Sequence, residues 1–257
     1  MAEVTANGVR LHVQRLCTED AGAGAPTVVF LHGLVMDNLS SFYYTLANPV
    51  AGAGADVLLY DLRGHGRSER PPTGYSVTDA VADLEGLLDA LDVDEPVHLV
   101  GNSFGGTVAL AFAVAHPERV AGLVLIEAHF AIEGWAEQMA GTLAEVAFGL
   151  KDEDLQTWRS RHGRKLSRLA RNADELINQT TLVDDLLAVK PLPADGLRAL
   201  RCPVAAFYGA ESDVLHHAEA LERLLPDFTL TVLPGCTHSV LMEATAELRA
   251  ALVARFG

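Results

Sequence analysis

The sequence predicts an α/β fold with a mostly parallel sheet of eight strands and helices on both faces. Strand-like and helix-like segments alternate along the 257 residues. The strand-like segments are continuous apolar runs, which is typical of parallel strands buried on both faces. One of these runs, 96–100, leads into the sharp turn Gly101-Asn102-Ser103-Phe104-Gly105, and a helix of small residues follows. A strand, a Gly-x-Ser-x-Gly turn and a helix in this order predict a nucleophile elbow.

The elbow gives Ser103 its chemistry. The turn forces the serine into a strained backbone conformation, and the flanking glycines avoid clashes with the neighbouring strand and helix. The hydroxyl is then expected at the strand tip, beside a helix N-terminus that favours developing negative charge. Ser103 is therefore predicted to be a nucleophile.

Six apolar runs are predicted to be strands three to eight. They are 27–31, 56–60, 96–100, 120–126, 203–209 and 228–233. The third is followed by His32-Gly33-Leu34, and the fourth by the loop 61–68, with the sequence Asp-Leu-Arg-Gly-His-Gly-Arg-Ser.

Together with the Ser103 elbow, these two loops resemble those of the α/β-hydrolase family. The resemblance covers about three quarters of the chain and implies a serine hydrolase. It implies that the backbone N–H groups of Leu34 and Phe104 form an oxyanion hole. The loop 61–68 is structural in that family, so His65 is interpreted as a loop histidine.

The resemblance also implies a catalytic triad in the chain order Ser103, Asp213 and His238. His238 follows the eighth strand in Pro-Gly-Cys-Thr-His and is predicted to be the general base. Asp213 ends Gly-Ala-Glu-Ser-Asp after the seventh strand and is predicted to orient the imidazole. Glu127, at the tip of the sixth strand, is the alternative acid.

The segment 129–197 breaks the alternation and is predicted to be a helical cap, inserted between core segments 1–128 and 198–257. Five residues on one face of a cap helix recur every three or four positions: Leu155, Trp158, His162, Leu166 and Leu169. The opposite face carries a basic stripe of Arg161, Arg164, Lys165, Arg168 and Arg171. It is interpreted as a solvated face or as a surface that attracts an anionic substrate or an acidic carrier protein.

A mainly apolar acyl pocket is predicted beside the oxyanion hole. Val35 and Met36 follow Leu34, and Phe104 follows the serine. The early cap residues Phe130, Trp135 and Met139 either line this pocket or pack the cap onto the core.

Three functions are considered for this protein, each with a small-molecule substrate or ligand. The first is hydrolysis of a carboxylic ester, lactone or thioester with an apolar acyl group. The second is C–C bond hydrolysis of vinylogous diketones, because residues 101–106 resemble the elbow of such enzymes. Leu34-Val35-Met36-Asp37 lacks the glycines usual after His-Gly there, and Ser239 replaces the usual tryptophan. The third is non-hydrolytic use of the triad, in acyl transfer, cyclisation or ester elimination, or use of the fold as a receptor.

Charge and composition indicate which classes of partner and cofactor the protein does not use. The net charge of −15 argues against nucleic acid. No signal-peptide pattern and no apolar run near ~18 residues is present, so a soluble, cytoplasmic protein without membrane contact is expected. Three widely spaced cysteines, Cys17, Cys202 and Cys236, indicate neither a disulfide framework nor a zinc site. No metal or other cofactor is predicted, and abundant Ala and Arg suggest a bacterial source.

Overall fold

The computed structural model describes residues 2–17, 24–130, 132, 134–139, 141–143 and 155–257, and only the helical backbone of 155–166. It contains one eight-stranded sheet in the order β1-β2-β4-β3-β5-β6-β7-β8. The strands are β1 (Ala2–Ala6), β2 (Val9–Leu16), β3 (Thr27–Leu31), β4 (Asp56–Tyr60), β5 (Val97–Asn102), β6 (Val120–Ile126), β7 (Val204–Gly209) and β8 (Phe228–Leu233). Strand β2 is antiparallel to both of its neighbours, and β3 to β8 are mutually parallel. The predicted fold class is confirmed.

Short and long helices connect the strands. They are α1 (Ser40–Phe42), which continues through a π-helical turn (Tyr43–Ala47) into α2 (Asn48–Gly52), then α3 (Val77–Ala90), α4 (Phe104–Ala115), α5 (Leu155–Gln179), α6 (Leu182–Leu187), α7 (Ala194–Ala199), α8 (Leu215–Leu224), α9 (Val240–Glu243) and α10 (Thr245–Phe256). A 3₁₀ turn (Pro117–Arg119) precedes β6. None of the helices in the described ranges is long and apolar enough to cross a membrane.

Each central strand is apolar on both faces because helices cover the sheet on both sides. In β3, Val29 and Leu31 pack in one buried cluster, which includes side chains of α3 and α4. Val28 and Phe30 point the other way, into a second cluster that includes side chains of α2 and α10. Side chains of a strand alternate between faces, so continuous apolar runs are what a doubly covered sheet requires.

The segment between β6 and β7 packs on the loop between β4 and α3. The Thr181 N–H donates to the Pro72 carbonyl at 3.0 Å, and the Tyr75 N–H donates to Asp185 Oδ2 at 2.8 Å. An ion pair joins Arg70 to Glu175 of α5. Helices α5 and α6 lie within the predicted cap, and α7 crosses its predicted end at 197. The boundaries of the cap at 129 and 197 stay a prediction.

Most of the predicted apolar face of the cap helix lies outside the described residues. This applies to the side chains of Leu155, Trp158, His162 and Leu166, and to those of Arg161, Arg164 and Lys165 in the basic stripe. Leu169 is partly buried, while Arg168 and Arg171 are exposed. Of the basic stripe, only the C-terminal residues Arg168 and Arg171 are therefore described, and both are exposed.

The loop after β4 is held by buried polar contacts. Asp61 accepts the backbone N–H groups of Leu39 and Arg67, each at 2.9 Å. Arg63 is paired through two nitrogens with the buried carboxylate of Asp83, on α3. This contact agrees with the structural role that the family resemblance implied for the loop.

Candidate active site

The residue at the centre of the site is Ser103, in the turn between β5 and α4. Its backbone has φ 51° and ψ −119°, a conformation that L-residues rarely adopt. Its N–H donates to the Ile126 carbonyl at 2.9 Å, which fixes the turn to the end of β6. A Cβ on Gly105 would overlap the Leu31 carbonyl, and one on Gly101 would lie 2.5 Å from the Gly105 carbonyl oxygen. The strand, turn and helix therefore pack as closely as the sequence predicted.

His238 lies between the serine and a carboxylate. Its Nε2 is 3.3 Å from Ser103 Oγ, and its Nδ1 is 3.0 Å from Glu127 Oε2. A carboxylate can only accept hydrogen bonds, so the neutral imidazole carries its proton on Nδ1. Nε2 is then the acceptor for the serine hydroxyl, which is the tautomer that a general base needs.

Glu127 is completely buried at the end of β6. Its backbone has φ 49°, so this non-glycine residue lies in the left-handed region and turns its side chain toward the neighbouring strand ends. Oε1 accepts the Gly209 N–H, and Oε2 accepts the Ser212 hydroxyl, each at 2.5 Å, in addition to His238. These hydrogen bonds replace the hydration that the carboxylate loses on burial.

The structure differs from the sequence prediction at the acid. Asp213 is exposed, and its backbone carbonyl lies 2.9 Å from His216 Nδ1. The residue of that loop that points inward is Ser212, which contacts Glu127 instead of the imidazole. His238 is therefore paired with Glu127, the alternative acid, because Glu127 is the buried carboxylate at these strand ends while the Asp213 side chain is exposed.

Two backbone N–H groups are available near Ser103 for a developing oxyanion. A Cβ on Gly33 would lie 3.6 Å from Ser103 Cβ, so the turn after β3 abuts the serine. The N–H groups of Leu34 and Phe104 donate no hydrogen bond to the described part of the chain, whereas the Gly33 N–H is taken by Asp37 at 2.8 Å. Within the described residues, neither predicted donor is thus taken by another acceptor, and their role as an oxyanion hole stays a prediction.

A buried imidazole holds the turn after β3 in place. His65 Nε2 accepts the Val35 N–H at 2.8 Å, while Nδ1 lies 2.8 Å from the Arg63 carbonyl. Val35 has φ 65°, which is strained for a β-branched residue and persists because this hydrogen bond fixes it. Burial lowers the pKa of His65 to about 3. The neutral ring is therefore a structural clamp, in agreement with its interpretation as a loop histidine.

The predicted pocket residues belong to one apolar cluster. Val35, Phe104, Phe130, Trp135 and Met139 are buried in it, and Leu34 and Met36 pack against it. This cluster also includes side chains of the sheet, α3 and α4, so membership in it does not by itself define a pocket. Their contact with a substrate stays a prediction.

A row of imidazoles beside His238 was not predicted. The His129 ring lies 5.2 Å from that of His238 and 5.4 Å from that of His217, which in turn lies 4.3 Å from His216. His129 Nδ1 and both ring nitrogens of His217 are buried and have no hydrogen-bond partner among the residues that the structure describes. Burial lowers the pKa of His129 to about 3 and that of His217 to about 4. His216 and His217 are adjacent in the sequence, but only the fold places His129 beside them.

The histidine row does not form a recognisable metal centre. Across the ranges that the structure describes, no three His, Cys, Asp or Glu side chains are arranged to hold a metal ion.

A first prediction concerns acid stability. His65, His129 and His217 have folded-state pKa values below the ordinary 6.5, so the unfolded chain binds more protons below that pH. Their contribution to stability is complete above about pH 6.5 and is lost as the pH falls toward about 3 to 4. Urea unfolding between about pH 7 and pH 5 should show this fall, and it should be shallower in His217→Phe. An identical slope in the variant would contradict the assignment of His217 as a buried neutral ring.

Comparison with known proteins gives a consistent family. Residues 26–245 match a family model described as the alpha/beta hydrolase fold. The 2-hydroxymuconate semialdehyde hydrolase of Pseudomonas sp. (strain CF600) is 31% identical over 235 residues, which are 90% of this chain and 75% of that relative.

Two further comparisons differ in extent. A 2-hydroxy-6-oxononadienedioate/2-hydroxy-6-oxononatrienedioate hydrolase of Paraburkholderia xenovorans (strain LB400) is 44% identical over 110 residues, but the match spans only 42% of this chain and 37% of that relative. A solved structure described as an N-acyl homoserine lactone degrading enzyme has a TM-score of 0.76 and 25% identity, and the match covers 98% of this chain and 99% of that one.

Proposed function

Since the chain belongs to the α/β-hydrolase family, we propose that it is a serine hydrolase that cleaves a carboxylic ester, lactone or thioester through an acyl-enzyme on Ser103. The observation that carries this proposal is the continuous set of contacts from Ser103 through His238 to Glu127. Ester-type hydrolysis requires a nucleophile, a base and an oxyanion hole. Each of these requirements has a named candidate in this chain.

In the proposed mechanism, Ser103 Oγ attacks the substrate carbonyl while His238 Nε2 accepts its proton. The imidazolium that forms is stabilised by the carboxylate of Glu127 on Nδ1. The carbonyl oxygen becomes an oxyanion and accepts hydrogen bonds from the N–H groups of Leu34 and Phe104, and loss of one such donor typically costs about 3–4 kcal/mol of transition-state stabilisation. His238 then protonates the leaving group.

The second half of the reaction repeats these roles with water. His238 removes a proton from water, which attacks the Ser103 acyl-enzyme, and the collapse of the second oxyanion returns the proton to the serine. The acyl group lies among Val35, Phe104 and the other apolar residues of that cluster in our proposal. Their burial supports an apolar acyl group because transfer of each CH₂ out of water contributes about 0.8 kcal/mol.

C–C bond hydrolysis is a second candidate because a relative that matches 90% of this chain is named 2-hydroxymuconate semialdehyde hydrolase. That reaction also needs groups that ketonise a dienol and stabilise a carbanion. We place ester-type hydrolysis first because its groups can be named here. The chain also departs from the C–C bond hydrolases at Leu34-Val35-Met36-Asp37 and at Ser239. These departures also favour ester-type hydrolysis over C–C bond hydrolysis.

A second prediction concerns the nucleophile. A serine-directed fluorophosphonate should label the protein, and Ser103→Ala should remove the label and lower turnover by several orders of magnitude. Intact-mass spectrometry measures the adduct. Ser239→Ala is the matched control and should label normally. Labelling that persisted in Ser103→Ala would place the nucleophile elsewhere.

A third prediction separates the two carboxylates. Glu127→Gln should lower kcat by as much as ~10⁴, because an amide no longer stabilises the imidazolium and can favour the wrong tautomer. Asp213→Asn should leave kcat within about twofold, because its side chain is exposed. Steady-state kinetics of both variants, with melting temperatures to confirm folding, make the comparison. A larger loss of kcat in Asp213→Asn than in Glu127→Gln would show that Asp213, in the loop after β7, is the acid that orients His238.

A fourth prediction concerns reaction class. Medium-chain p-nitrophenyl esters or acyl thioesters should be hydrolysed with a burst of released leaving group, because the acyl-enzyme accumulates. Vinylogous diketone acids should be poor substrates. Stopped-flow absorbance on the same protein sample measures both. Fast cleavage of a diketone acid, with no burst from any ester or thioester, would establish the C–C hydrolase instead.

A further inference from the structure

A cavity of about 700 Å³ lies outside the set of catalytic candidates. It is bounded by α5 on one side and by β2 and residues 38–44, which include α1, on the other. Neither Ser103 nor His238 lines it. Its volume is in the range of small-molecule sites in proteins. The cavity is therefore large enough to receive a part of a ligand that extends beyond the reacting carbonyl.

The cavity borders the oxyanion turn. Asn38, in its wall, directly follows Asp37, whose carboxylate accepts the N–H groups of both Gly33 and Asn38 at 2.8 Å. Gly33 in turn abuts Ser103. Asp37 and Gly33 thus connect the wall of the cavity with the turn beside Ser103.

The charge of the lining contrasts with that of the whole protein. Arg67 and Arg168 line the cavity, and Asp61 is the one carboxylate in the described lining. Both oxygens of Asp61 already accept backbone N–H groups, and the side chain is buried. Arg168 is exposed and makes no ion pair with any described residue. In a chain with a net charge of −15, a cavity with two guanidinium groups is a local site for an anion.

Polar and aromatic groups complete the lining. Asn38 and Asn172 bring amide side chains, which can donate hydrogen bonds. Tyr44 is 79% exposed although it is a large aromatic residue, and its ring packs edge-on against Tyr43 at 4.7 Å. An exposed ring at the edge of a cavity is a surface on which the apolar part of a ligand can pack.

We propose that this cavity, with Arg168 as its principal cation, binds a carboxylate or phosphate group at the non-reacting end of the substrate. The inference rests on the proposed ester or thioester hydrolysis and narrows its substrates to organic anions with an apolar acyl part. Arginine suits this role because its planar fork of donors matches carboxylate and phosphate oxygens. Arg168 is then a specificity-determining residue.

Matched substrates test the inference and locate the anion. Mono-p-nitrophenyl adipate differs from p-nitrophenyl hexanoate by a carboxylate at the end of its acyl chain. The 3-carboxy-4-nitrophenyl ester of hexanoate adds one to the leaving group. Among the thioesters, hexanoyl 4′-phosphopantetheine has a phosphate in its leaving group, and hexanoyl N-acetylcysteamine is its neutral counterpart. At least one anionic substrate should show a higher kcat/KM than its neutral counterpart.

Arg168→Gln should remove this preference by lowering kcat/KM for the favoured anion about tenfold, mainly through KM, with the neutral substrate nearly unchanged. Arg171→Gln is the control, because Arg171 lies one turn away on α5, does not line the cavity and approaches Glu175 at 4.0 Å. Equal losses in both variants, or no preference for any anion in the unaltered protein, would overturn the inference.

A binding experiment tests this inference independently of the proposed hydrolysis. Calorimetry on Ser103→Ala protein compares the non-hydrolysable N-phenyl amides of adipate and hexanoate, and an amide of phosphopantetheine with its dephosphorylated form. Tighter binding of an anionic amide, lost in Ser103→Ala/Arg168→Gln, supports the site even if no ester is hydrolysed. Equal binding of each charged and neutral pair contradicts the site even if esters are hydrolysed.

Discussion

The buried carboxylate of Glu127 joins the ends of three strands. It follows β6, accepts the Gly209 N–H at the end of β7 and the Ser212 hydroxyl in the next loop, and contacts His238 after β8. A buried charge is tolerated only where hydrogen bonds replace its lost hydration. The same donors that make burial of Glu127 possible therefore also fix the position of the imidazole relative to Ser103.

The opposite side of the serine depends on two imidazoles that accept backbone hydrogen bonds. His32 Nε2 accepts the Leu62 N–H at 2.9 Å, and His65 Nε2 accepts the Val35 N–H at 2.8 Å. These contacts hold the turn that carries Leu34 against the loop after β4. Because the depressed pKa of His65 keeps its ring neutral, the turn retains its shape at pH values where an exposed histidine would begin to protonate.

Much of the fold could be predicted because its signals are local. The run 120–126 and the strand β6 (Val120–Ile126) coincide, and the elbow at Ser103 needs only a strand, two glycines and a helix. The partner of His238 was harder to predict, because Glu127 and Asp213 both follow strands that end at the same edge of the sheet. The choice depends on the positive φ of Glu127 and on which residue of the β7 loop points inward. Neither property has a sequence signature, since both follow from packing against neighbouring strands.

A crystal structure of the fluorophosphonate adduct would test the central claim most directly, because it shows the nucleophile, the oxyanion donors and the acid together. The account predicts phosphorus bonded to Ser103 Oγ, a phosphonyl oxygen within hydrogen-bond distance of the Leu34 and Phe104 N–H groups, and Glu127 on His238 Nδ1. An adduct on another residue, or Asp213 in place of Glu127 on His238 Nδ1, would contradict it.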